Sequence, residues 1–302
     1  MRIQDAVLDY LNRNRGSYVS GEEIAASLGV TRNAVWKAIR KLEADGHRID
    51  AVPKRGYALS ADSDVLSAGS VSRYLTTDFP VRLDVRRAVT STNTLLKAEA
   101  EQGAQEGLVL IAEAQTAGKG RLGRQFQSPA GTGVYFSFLL RPTCTAERSL
   151  FITTAAAVAV CRAIEDVTAL HPQIKWVNDV YLNGRKVCGI LTEAAIDFES
   201  GGLHWAVLGI GINIAEPAGG FPEEIRNTAG ALFSGPCPVE MRSRLAAAVI
   251  DRFFELYGDL ETGGFIDEYR RRSFLTGRAI HFSLGNAVYH GVVTGISDEA
   301  HL

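Results

Sequence analysis

The sequence predicts an α+β protein with an N-terminal winged helix-turn-helix, a central mixed-sheet domain and a short C-terminal β domain. Three observations support this fold class. The first sixty residues combine three helical patterns with a basic hairpin, the central region alternates strands with helices, and tight turns join several of the strands. A length of 302 residues, 46% of them apolar and 22% charged, suits a soluble globular chain of two or three domains.

Three helices are predicted at the start of the chain. The first is amphipathic, with apolar residues at helical spacing. These residues are Ile3, Val7, Leu8 and Leu11. Ser20 and Glu23 have the spacing of a capping box, which begins the second helix. Gly29 ends that helix in a short turn, and Thr31 can cap the third helix.

The third helix has an apolar and a basic side. Val35, Ile39 and Leu42 form the buried stripe. The exposed side consists of Arg32, Asn33, Trp36, Lys37, Arg40 and Lys41. Two short strands then flank a basic turn at residues 53–56, and residues 1–60 carry ten Lys and Arg against seven Asp and Glu. A basic second helix after a glycine turn, followed by a basic wing, indicates a winged helix-turn-helix that binds DNA.

The predicted DNA-binding residues are all polar or basic and lie on this helix and wing. Arg32, Asn33, Lys37 and Arg40 are expected to address base edges or phosphates, with Lys54 and Arg55 on the DNA backbone. The alternative interpretation is a small helical module whose positive face is only solvated.

Composition marks the domain boundaries. Residues 60–72 are rich in Ser, Asp, Ala and Gly, and a short helix is expected around residues 65–75. We place a DNA-binding domain at 1–63, a linker at 64–80, a central domain at 81–274 and a C-terminal domain at 275–302. Strands are predicted in EGLVLIAEAQ, GVYFSFLL, IKWVNDVYLNGRKVCGILTEAAI and LHWAVLGIGINI, and helices in SLFITTAAAVAVCRAIEDV and VEMRSRLAAAVIDRFFELYGDLE. This hairpin-rich order is typical of a mixed sheet with helices packed on it.

The chain shows no secretion or membrane signal. No apolar run reaches the ~18 residues of a membrane span, and the charged N-terminal pattern is not a signal peptide. The cysteines stand far apart and form no C-x-x-C pair. They are Cys144, Cys161, Cys188 and Cys237. Reduced thiols and a cytoplasmic location are therefore expected.

The stretch AGKGRLGRQFQSP contains the pattern G-x-G-x-x-G at Gly118, Gly120 and Gly123. A dinucleotide-binding fingerprint needs a helix immediately after its glycines. Here Pro129, two further glycines and another strand follow instead, so the dinucleotide interpretation fails. A Walker A loop is excluded as well, because Lys119 is followed by glycine rather than Ser or Thr.

What remains is a basic loop spaced by glycines. Its cations are Lys119, Arg121 and Arg124, and residues 114–146 contain no Asp or Glu to compensate them. Guanidinium groups and backbone N–H groups suit a phosphate-bearing ligand. The glycines would keep the loop mobile until that ligand arrives. The alternative is an ordinary hairpin connection that happens to be basic.

Further polar motifs accompany the loop. They are Ser91-Thr92-Asn93, then Lys175, Trp176, Asn178 and Asp179 in IKWVND, Lys186 and Gly189 in RKVCGIL, and Asn213 in GIGINI. With these motifs in this order behind a winged helix-turn-helix, the chain resembles bifunctional biotin–protein ligases and biotin operon repressors of the BirA type over nearly its whole length. The resemblance implies a class II synthetase-like ligase fold for the central domain and an SH3-like β-barrel for the C-terminal one.

The resemblance also implies a reaction and a set of site residues. Biotin is activated with ATP to biotinyl-5′-AMP and then transferred to a lysine of an acceptor domain, with Arg121 and Lys186 as the catalytic cations. The implied biotin- and adenylate-binding residues are Ser91, Thr92, Asn93, Gln115, Gly118, Lys119, Gly120, Arg121, Arg124, Phe126, Lys175, Trp176, Lys186, Gly189 and Asn213. Mg²⁺ is expected to enter with ATP, near Asp179, without a metal site built by the protein.

The chain departs from the family pattern at several places. Lys119 replaces the first arginine of the loop and loses bidentate geometry. Val177 stands where proline is usual, which is expected to loosen that turn, and Phe126 stands where an aromatic residue covers the adenine. The C-terminal stretch GRAIHFSLGNAVYHGVVTGISDEAHL resembles the first strands of the small barrel. At least one more strand would be expected, so the barrel is predicted to be incomplete, and acceptor docking is in question.

The resemblance implies three partners: the biotin carboxyl carrier domain of a carboxylase, operator DNA, and a second copy of the chain that joins when the adenylate binds. Neither chemical step needs an enzyme nucleophile, in keeping with the absence of G-x-S-x-G and H-E-x-x-H motifs. Three alternatives stay open: a biotin-sensing transcription regulator without catalysis, a lipoate ligase, and a DNA-binding protein with a structural partner domain.

Overall fold

Three helices and a hairpin form the N-terminal part of the computed structural model, which describes residues 2–197, 201–284 and 287–302. They are α1 (Ile3–Arg13), α2 (Gly21–Leu28), α3 (Arg32–Ala44), β1 (Ile49–Val52) and β2 (Gly56–Leu59), the two strands being antiparallel. The predicted caps at Ser20, Gly29 and Thr31 are confirmed, but the Glu23 side chain, which was expected to complete a capping box, accepts from the Tyr10 hydroxyl at 3.2 Å. Ser20 Oγ accepts from the backbone N–H of Glu23 at 3.0 Å, and Gly29 ends α2 with φ of 64°. Thr31 Oγ1 accepts from Ala34 N at 3.2 Å.

Except for Ile3, which was predicted in the α1 stripe but is 46% exposed at the start of the helix, the apolar stripes of α1 and α3 meet in one core. Its members include Val7, Leu8, Leu11, Val35, Ile39 and Leu42. This core belongs to a compact unit that contains the chain through Leu75 and also Pro238–Ala247. Within it, Asp64 pairs with the nearly buried Arg242 at 3.0 Å, and Ser243 Oγ donates to Ser70 Oγ at 2.9 Å on α4 (Ala68–Ser72). The short helix expected near residues 65–75 is thus present, whereas the contribution of residues 238–247 was not foreseen.

A buried histidine makes the stability of this unit depend on pH. His47 is 7% exposed; burial lowers its pKa to about 4, with Arg15 also lowering it and Asp45 opposing the shift. An unfolded histidine titrates near 6.5. Between these values the unfolded state binds more protons, so stability falls as the pH is lowered, by about 3 kcal/mol over the whole window.

We therefore expect His47→Gln to flatten this pH dependence, because glutamine cannot take up the proton. The measurement is urea unfolding of wild type and variant at pH 7 and pH 5. An equal loss of stability in both proteins would show that His47 is not the responsible group.

The second unit, Thr76–Cys237 with Ala248–Leu302, is built on a seven-stranded mixed sheet. Its strands are β3 (Arg82–Val89), β4 (Leu108–Gln115), β5 (Gly133–Leu140), β6 (Gln173–Lys175), β7 (Asp179–Leu182), β8 (Arg185–Ile196) and β9 (Leu203–Asn213). Their spatial order is β3-β4-β5-β9-β8-β7-β6, with β3 parallel to β4 and every other pair antiparallel. The predicted mixed sheet is confirmed.

Helices cover this sheet. They are α5 (Thr92–Glu101), α6 (Ser149–Val167), α8 (Ile266–Arg272) and the part of α7 (Met241–Tyr257) that begins at Ala248, since its first residues belong to the N-terminal unit. Leu96 and Ala100 of α5 pack against Leu110, Leu139 and Val207 of the strands. α6 is apolar almost all round, as expected for a helix buried along most of its length. None of the helices in the described part of the chain is long and apolar enough to cross a membrane.

Two C-terminal strands follow, β10 (Ala279–Leu284) and β11 (Ala287–Val292), paired antiparallel. Small C-terminal strands are thus present, as predicted. The segment after them is tied to the central unit. Trp176 Nε1 donates to the carbonyl of Ala300 at 2.7 Å, and Arg270 Nε donates to the carbonyl of Ile296 at 2.7 Å.

Candidate active site

The sequence motifs of the central unit meet around one cavity of about 490 Å³. The predicted binding residues in its lining are Ser91, Thr92, Asn93, Gln115, Lys119, Gly120, Arg121, Arg124, Phe126, Lys175, Lys186, Gly189 and Asn213. Gly118 and Trp176 are the exceptions. Gly118 packs closely against the Phe126 carbonyl, where a Cβ would lie 2.4 Å from the oxygen. The Trp176 side chain donates a hydrogen bond to the Ala300 carbonyl. Asn178 and Asp179 also line the cavity.

Polar side chains at the start of α5 form one wall. Ser91 caps the helix by accepting from Thr94 N. Gln115, at the end of β4, accepts from Thr92 N at 2.8 Å and from Thr92 Oγ1 at 3.2 Å. Gln115 Nε2 in turn donates to Ser128 Oγ at 2.9 Å, on the far side of the basic loop. The helix start, the strand end and the loop are therefore held in one hydrogen-bonded arrangement.

Three glycines on β8 and β9 have no side chain where Asn93 and the Phe126 ring pack against the sheet. A Cβ at Gly209 would lie 2.1 Å from Asn93 Oδ1, and one at Gly211 would lie 2.5 Å from Phe126 Cε1. A Cβ at Gly189 would also contact the Phe126 ring, at 3.1 Å. Real side chains do not tolerate the two shorter distances, so the shape of the cavity depends on these glycines.

The basic loop is folded back on itself in this structure. Phe126 N donates to the Gly118 carbonyl at 2.9 Å, and Gly120 N donates to the Arg124 carbonyl at 2.7 Å. A short 3-10 turn over Arg121–Gly123 forms the tip, and β5 follows the loop. The loop thus connects two strands and is not followed by a helix, in agreement with the exclusion of a dinucleotide site. Its glycines predicted a mobile loop, but the loop is closed by hydrogen bonds between its own backbone groups.

The cavity is strongly cationic. Among the described residues its lining carries five cations and one carboxylate. Lys186 Nζ lies 2.6 Å from that carboxylate, at Asp179 Oδ1. Arg121 Nη1 donates to Asn178 Oδ1 at 3.2 Å, and Asn178 Nδ2 donates to the Ile190 carbonyl at 2.7 Å. Because one negative charge cannot balance the set, the site favours an anionic ligand.

Several lining residues were missed by the sequence analysis. They are Leu122, Gln125, Gln127, Tyr181, Ile190, Leu191, Gly209, Ile210, Gly211, Phe221, Ile225, Thr228 and Ala229. The segment that includes Thr228 pairs with β8, because Lys186 N donates to the Thr228 carbonyl and Gly230 N donates to the Lys186 carbonyl, both at 2.8 Å. Asn213 Nδ2 also donates to the Gly230 carbonyl at 3.0 Å. This segment carries neither helical nor strand periodicity that could have indicated its role.

Within residues 2–197, 201–284 and 287–302, no three His, Cys, Asp or Glu side chains cluster in a way that could hold an ion. The three buried cysteines, Cys144, Cys161 and Cys188, are free thiols, as expected. Burial raises the pKa of Cys188 well above its usual value, with Asp179 and Cys161 adding to the shift and Lys186 opposing it. Cys188 is therefore an inert packing residue rather than a reactive one.

The predicted DNA-binding side chains are all exposed on the N-terminal unit. They are Arg32, Asn33, Lys37, Arg40, Lys54 and Arg55. Two of them have acidic partners, since Arg32 pairs with Glu22 and Arg40 with Glu43, each at 3.1 Å. Exposed pairs of this kind are weak, so both guanidinium groups remain available to phosphates.

Comparisons with known proteins match both the N-terminal and the central part of the chain. A helix-turn-helix domain model matches residues 4–58, and the model of the Biotin/lipoate A/B protein ligase family matches residues 85–213. The sequence is 31% identical to the Bifunctional ligase/repressor BirA of Bacillus subtilis over 98% of this chain and 92% of that protein. It is 27% identical to the Escherichia coli protein of the same name over 95% of this chain and 88% of that one.

A solved structure shows the same fold over most of the chain. It is the biotin protein ligase from Aquifex aeolicus in complex with biotin and ATP, which superposes with a TM-score of 0.61 at 29% identity and covers 74% of this chain and 90% of that one. The sequence match extends over nearly all of the chain, and the structural match over about three quarters of it. This chain belongs to the family of the bifunctional ligase/repressor BirA.

Proposed function

We propose that this protein is a biotin–protein ligase that also represses transcription through its helix-turn-helix. The observation that carries the proposal is the composition of the cavity. A wall of hydrogen-bonding side chains lies around Thr92 and Asn93, and cations from the basic loop and β8 lie around the same space. Such a site can hold biotin together with the phosphates of ATP.

The first step joins two anions that repel each other. A carboxylate oxygen of biotin attacks the α-phosphorus of ATP, the bond to the bridging oxygen breaks, and pyrophosphate leaves with its electron pair. We assign to Lys186 and Arg121, which both line the cavity, the role of offsetting the negative charge that grows on the phosphate oxygens. Asp179 and Asn178 hold these two cations in place, which reduces the reorganisation needed during the reaction.

The second step transfers biotin to an acceptor. The ε-amine of an acceptor lysine attacks the carbonyl carbon of biotinyl-5′-AMP, and the bond from that carbon to the phosphate oxygen breaks. AMP leaves with the electron pair, and the amine releases a proton to solvent as the amide forms. The mixed anhydride is already activated, so no nucleophile of the enzyme is required. The cavity's part is to exclude water until the acceptor arrives.

Magnesium is expected only as part of the nucleotide complex. The single carboxylate of the described lining, Asp179, is engaged by Lys186 at 2.6 Å. One engaged carboxylate does not form a protein-held metal site. The lining residues therefore fit a Mg²⁺ ion that is bound by the phosphates of ATP. Such an ion would screen the negative charge of these phosphates.

The transfer step is tested with a purified biotin carboxyl carrier domain. Incubation with this protein, biotin, ATP and magnesium should add one biotinyl group to the carrier, as measured by mass spectrometry. A carrier with its acceptor lysine replaced by arginine is the control and should stay unmodified. An unmodified wild-type carrier would contradict the proposed transfer and favour a biotin-sensing regulator without catalysis.

For the N-terminal unit we expect Lys37→Ala to weaken DNA binding and to reduce the slope of log Kd against log salt by about 1, because one phosphate contact is lost. The probe is a duplex enriched from a random library with the wild-type chain, and the measurement is fluorescence anisotropy at several salt concentrations. Arg13→Ala is the matched control, since Arg13 is exposed on α1 of the same unit. An equal change in Kd and in salt dependence for both variants would argue against α3 and the wing as the DNA-binding surface.

A homodimer that forms on adenylate binding is also part of the proposal. Sedimentation velocity with and without biotin and ATP measures it directly. An unchanged sedimentation coefficient at concentrations where the ligands saturate the site would contradict it.

A further inference from the structure

A carboxylate that no sequence motif singled out lies next to the cavity wall. Glu193 follows the lining residue Leu191 at strand spacing on β8, so the two side chains lie on the same face of the sheet. Glu193 Oε2 accepts a hydrogen bond from Asn93 Nδ2 at 2.9 Å, and its Oε1 pairs with Lys97 Nζ at 2.9 Å. The Glu193 side chain is only 24% exposed.

Glu193 is ionised at neutral pH. Burial alone would raise the pKa of Glu193, but the hydrogen bonds from Lys97 and Asn93 and the charge of Lys119 lower it below its usual value. Both of its oxygens can therefore only accept hydrogen bonds.

This acceptor fixes the orientation of the Asn93 carboxamide. One N–H of Asn93 Nδ2 goes to Glu193 and the other to the Leu191 carbonyl at 3.2 Å. Asn93 Oδ1 consequently faces Ser137, whose hydroxyl lies 2.6 Å from it and 2.7 Å from Thr92 Oγ1. Thr92 Oγ1 donates its own proton to Gln115 Oε1. All of these protons are taken up by acceptors of the protein itself.

The wall can therefore offer the ligand lone pairs on Asn93 Oδ1 and Thr92 Oγ1, and no proton from either. We propose that Glu193 is a positioning residue that sets this polarity, so that the wall accepts N–H groups of the ligand. The inference rests on the proposed function, in which the ligand carries the N–H donors of the biotin urea. If the Asn93 carboxamide rotated by half a turn, its NH₂ group would take the place of Oδ1, and the wall would present a donor instead of an acceptor.

Glu193→Gln tests this directly. Glutamine has one oxygen and one NH₂, and the Lys97 ammonium attracts the oxygen. The NH₂ then faces Asn93 Nδ2, and two donors oppose each other. We expect biotin binding, measured by calorimetry, to weaken about 10- to 100-fold, as for a mismatched buried hydrogen bond. The kcat at saturating biotin should stay within about threefold of wild type, because the phosphate-facing cations are untouched.

The double variant Lys97→Met/Glu193→Gln separates polarity from structural damage. Without the ammonium, the glutamine oxygen is free to face Asn93, so most of the biotin affinity should return. Lys97→Met alone is the matched control and should bind biotin about as tightly as wild type. A merely structural role would lower kcat as well and would leave the double variant no better than Glu193→Gln.

Two results would overturn the inference. One is biotin affinity of Glu193→Gln within about twofold of wild type, and the other is a double variant that shows no recovery. Failure of the wild-type chain to bind biotin at all is a different result. It would overturn the proposed function, and the inference with it.

Discussion

Lys186→Ala should slow formation of the adenylate by about 100- to 1,000-fold, the usual cost of removing one preorganised group that stabilises transition-state charge. Lys186 lies in the cavity lining, 2.6 Å from Asp179. Its ammonium is a compact charge that can offset the negative charge growing on the phosphate oxygens. Biotin binding should change much less, because the wall around Thr92 and Asn93 does not involve Lys186.

Rapid-quench measurement of biotinyl-5′-AMP in a single turnover tests this prediction. Arg185→Ala is the matched control, since Arg185 is the neighbouring cation but is exposed and outside the cavity lining. The removal of Lys186 also leaves Asp179 without its partner. Lys186→Ala/Asp179→Asn therefore shows how much of the loss comes from the stranded carboxylate. A single-turnover rate for Lys186→Ala within about threefold of wild type would remove Lys186 from the mechanism.

Gly211→Ala should weaken biotin binding about 5- to 150-fold, the range that corresponds to the cost of overpacking a close-packed site. The new Cβ would lie 2.5 Å from Phe126 Cε1, so the ring must leave its position against β9. Phe126 follows the basic loop directly, and its movement also disturbs the hydrogen bond from Phe126 N to the Gly118 carbonyl, which closes the loop.

The measurement is calorimetric titration with biotin. Gly219→Ala is the control, because a Cβ at Gly219 meets nothing within 4 Å. Phe126→Leu combined with Gly211→Ala provides a second comparison, since the smaller side chain gives room for the added methyl group. Unchanged affinity in Gly211→Ala would show that the ring moves freely and does not shape the binding site.

Local features made much of the fold predictable. The caps at Ser20 and Thr31 and the turn at Gly29 are decided by neighbouring residues, so the helix-turn-helix could be predicted from sequence alone. The same holds for the basic loop, where Pro129 and the following glycines exclude a helix after Gly123. In each case one short stretch contains all of the relevant chemistry.

Long-range contacts were not predictable in this way. The packing of residues 238–247 with the N-terminal unit depends on pairs such as Asp64 with Arg242, which no local pattern reveals. Glu193 was overlooked for a related reason. Its role depends on Asn93, one hundred residues earlier in the chain.

The candidate site was predictable only in part, since some of its residues belong to local motifs and others are brought in by long-range contacts. Its motifs could be identified because each combines distinctive residues, and the structure brings them together around one cavity. The segment through Phe221 and Thr228 completes the lining without any such motif. It is held by backbone hydrogen bonds to Lys186, which any residue type can form.

The central claim is that this cavity activates biotin with ATP, and biotin-dependent exchange of labelled pyrophosphate into ATP tests it most directly. Exchange requires only the first, reversible step, so neither an acceptor domain nor DNA is needed. The account predicts that label enters ATP when biotin is present and not when it is omitted. Biotin binding without any exchange would contradict the account and identify the protein as a sensor that binds biotin but does not activate it.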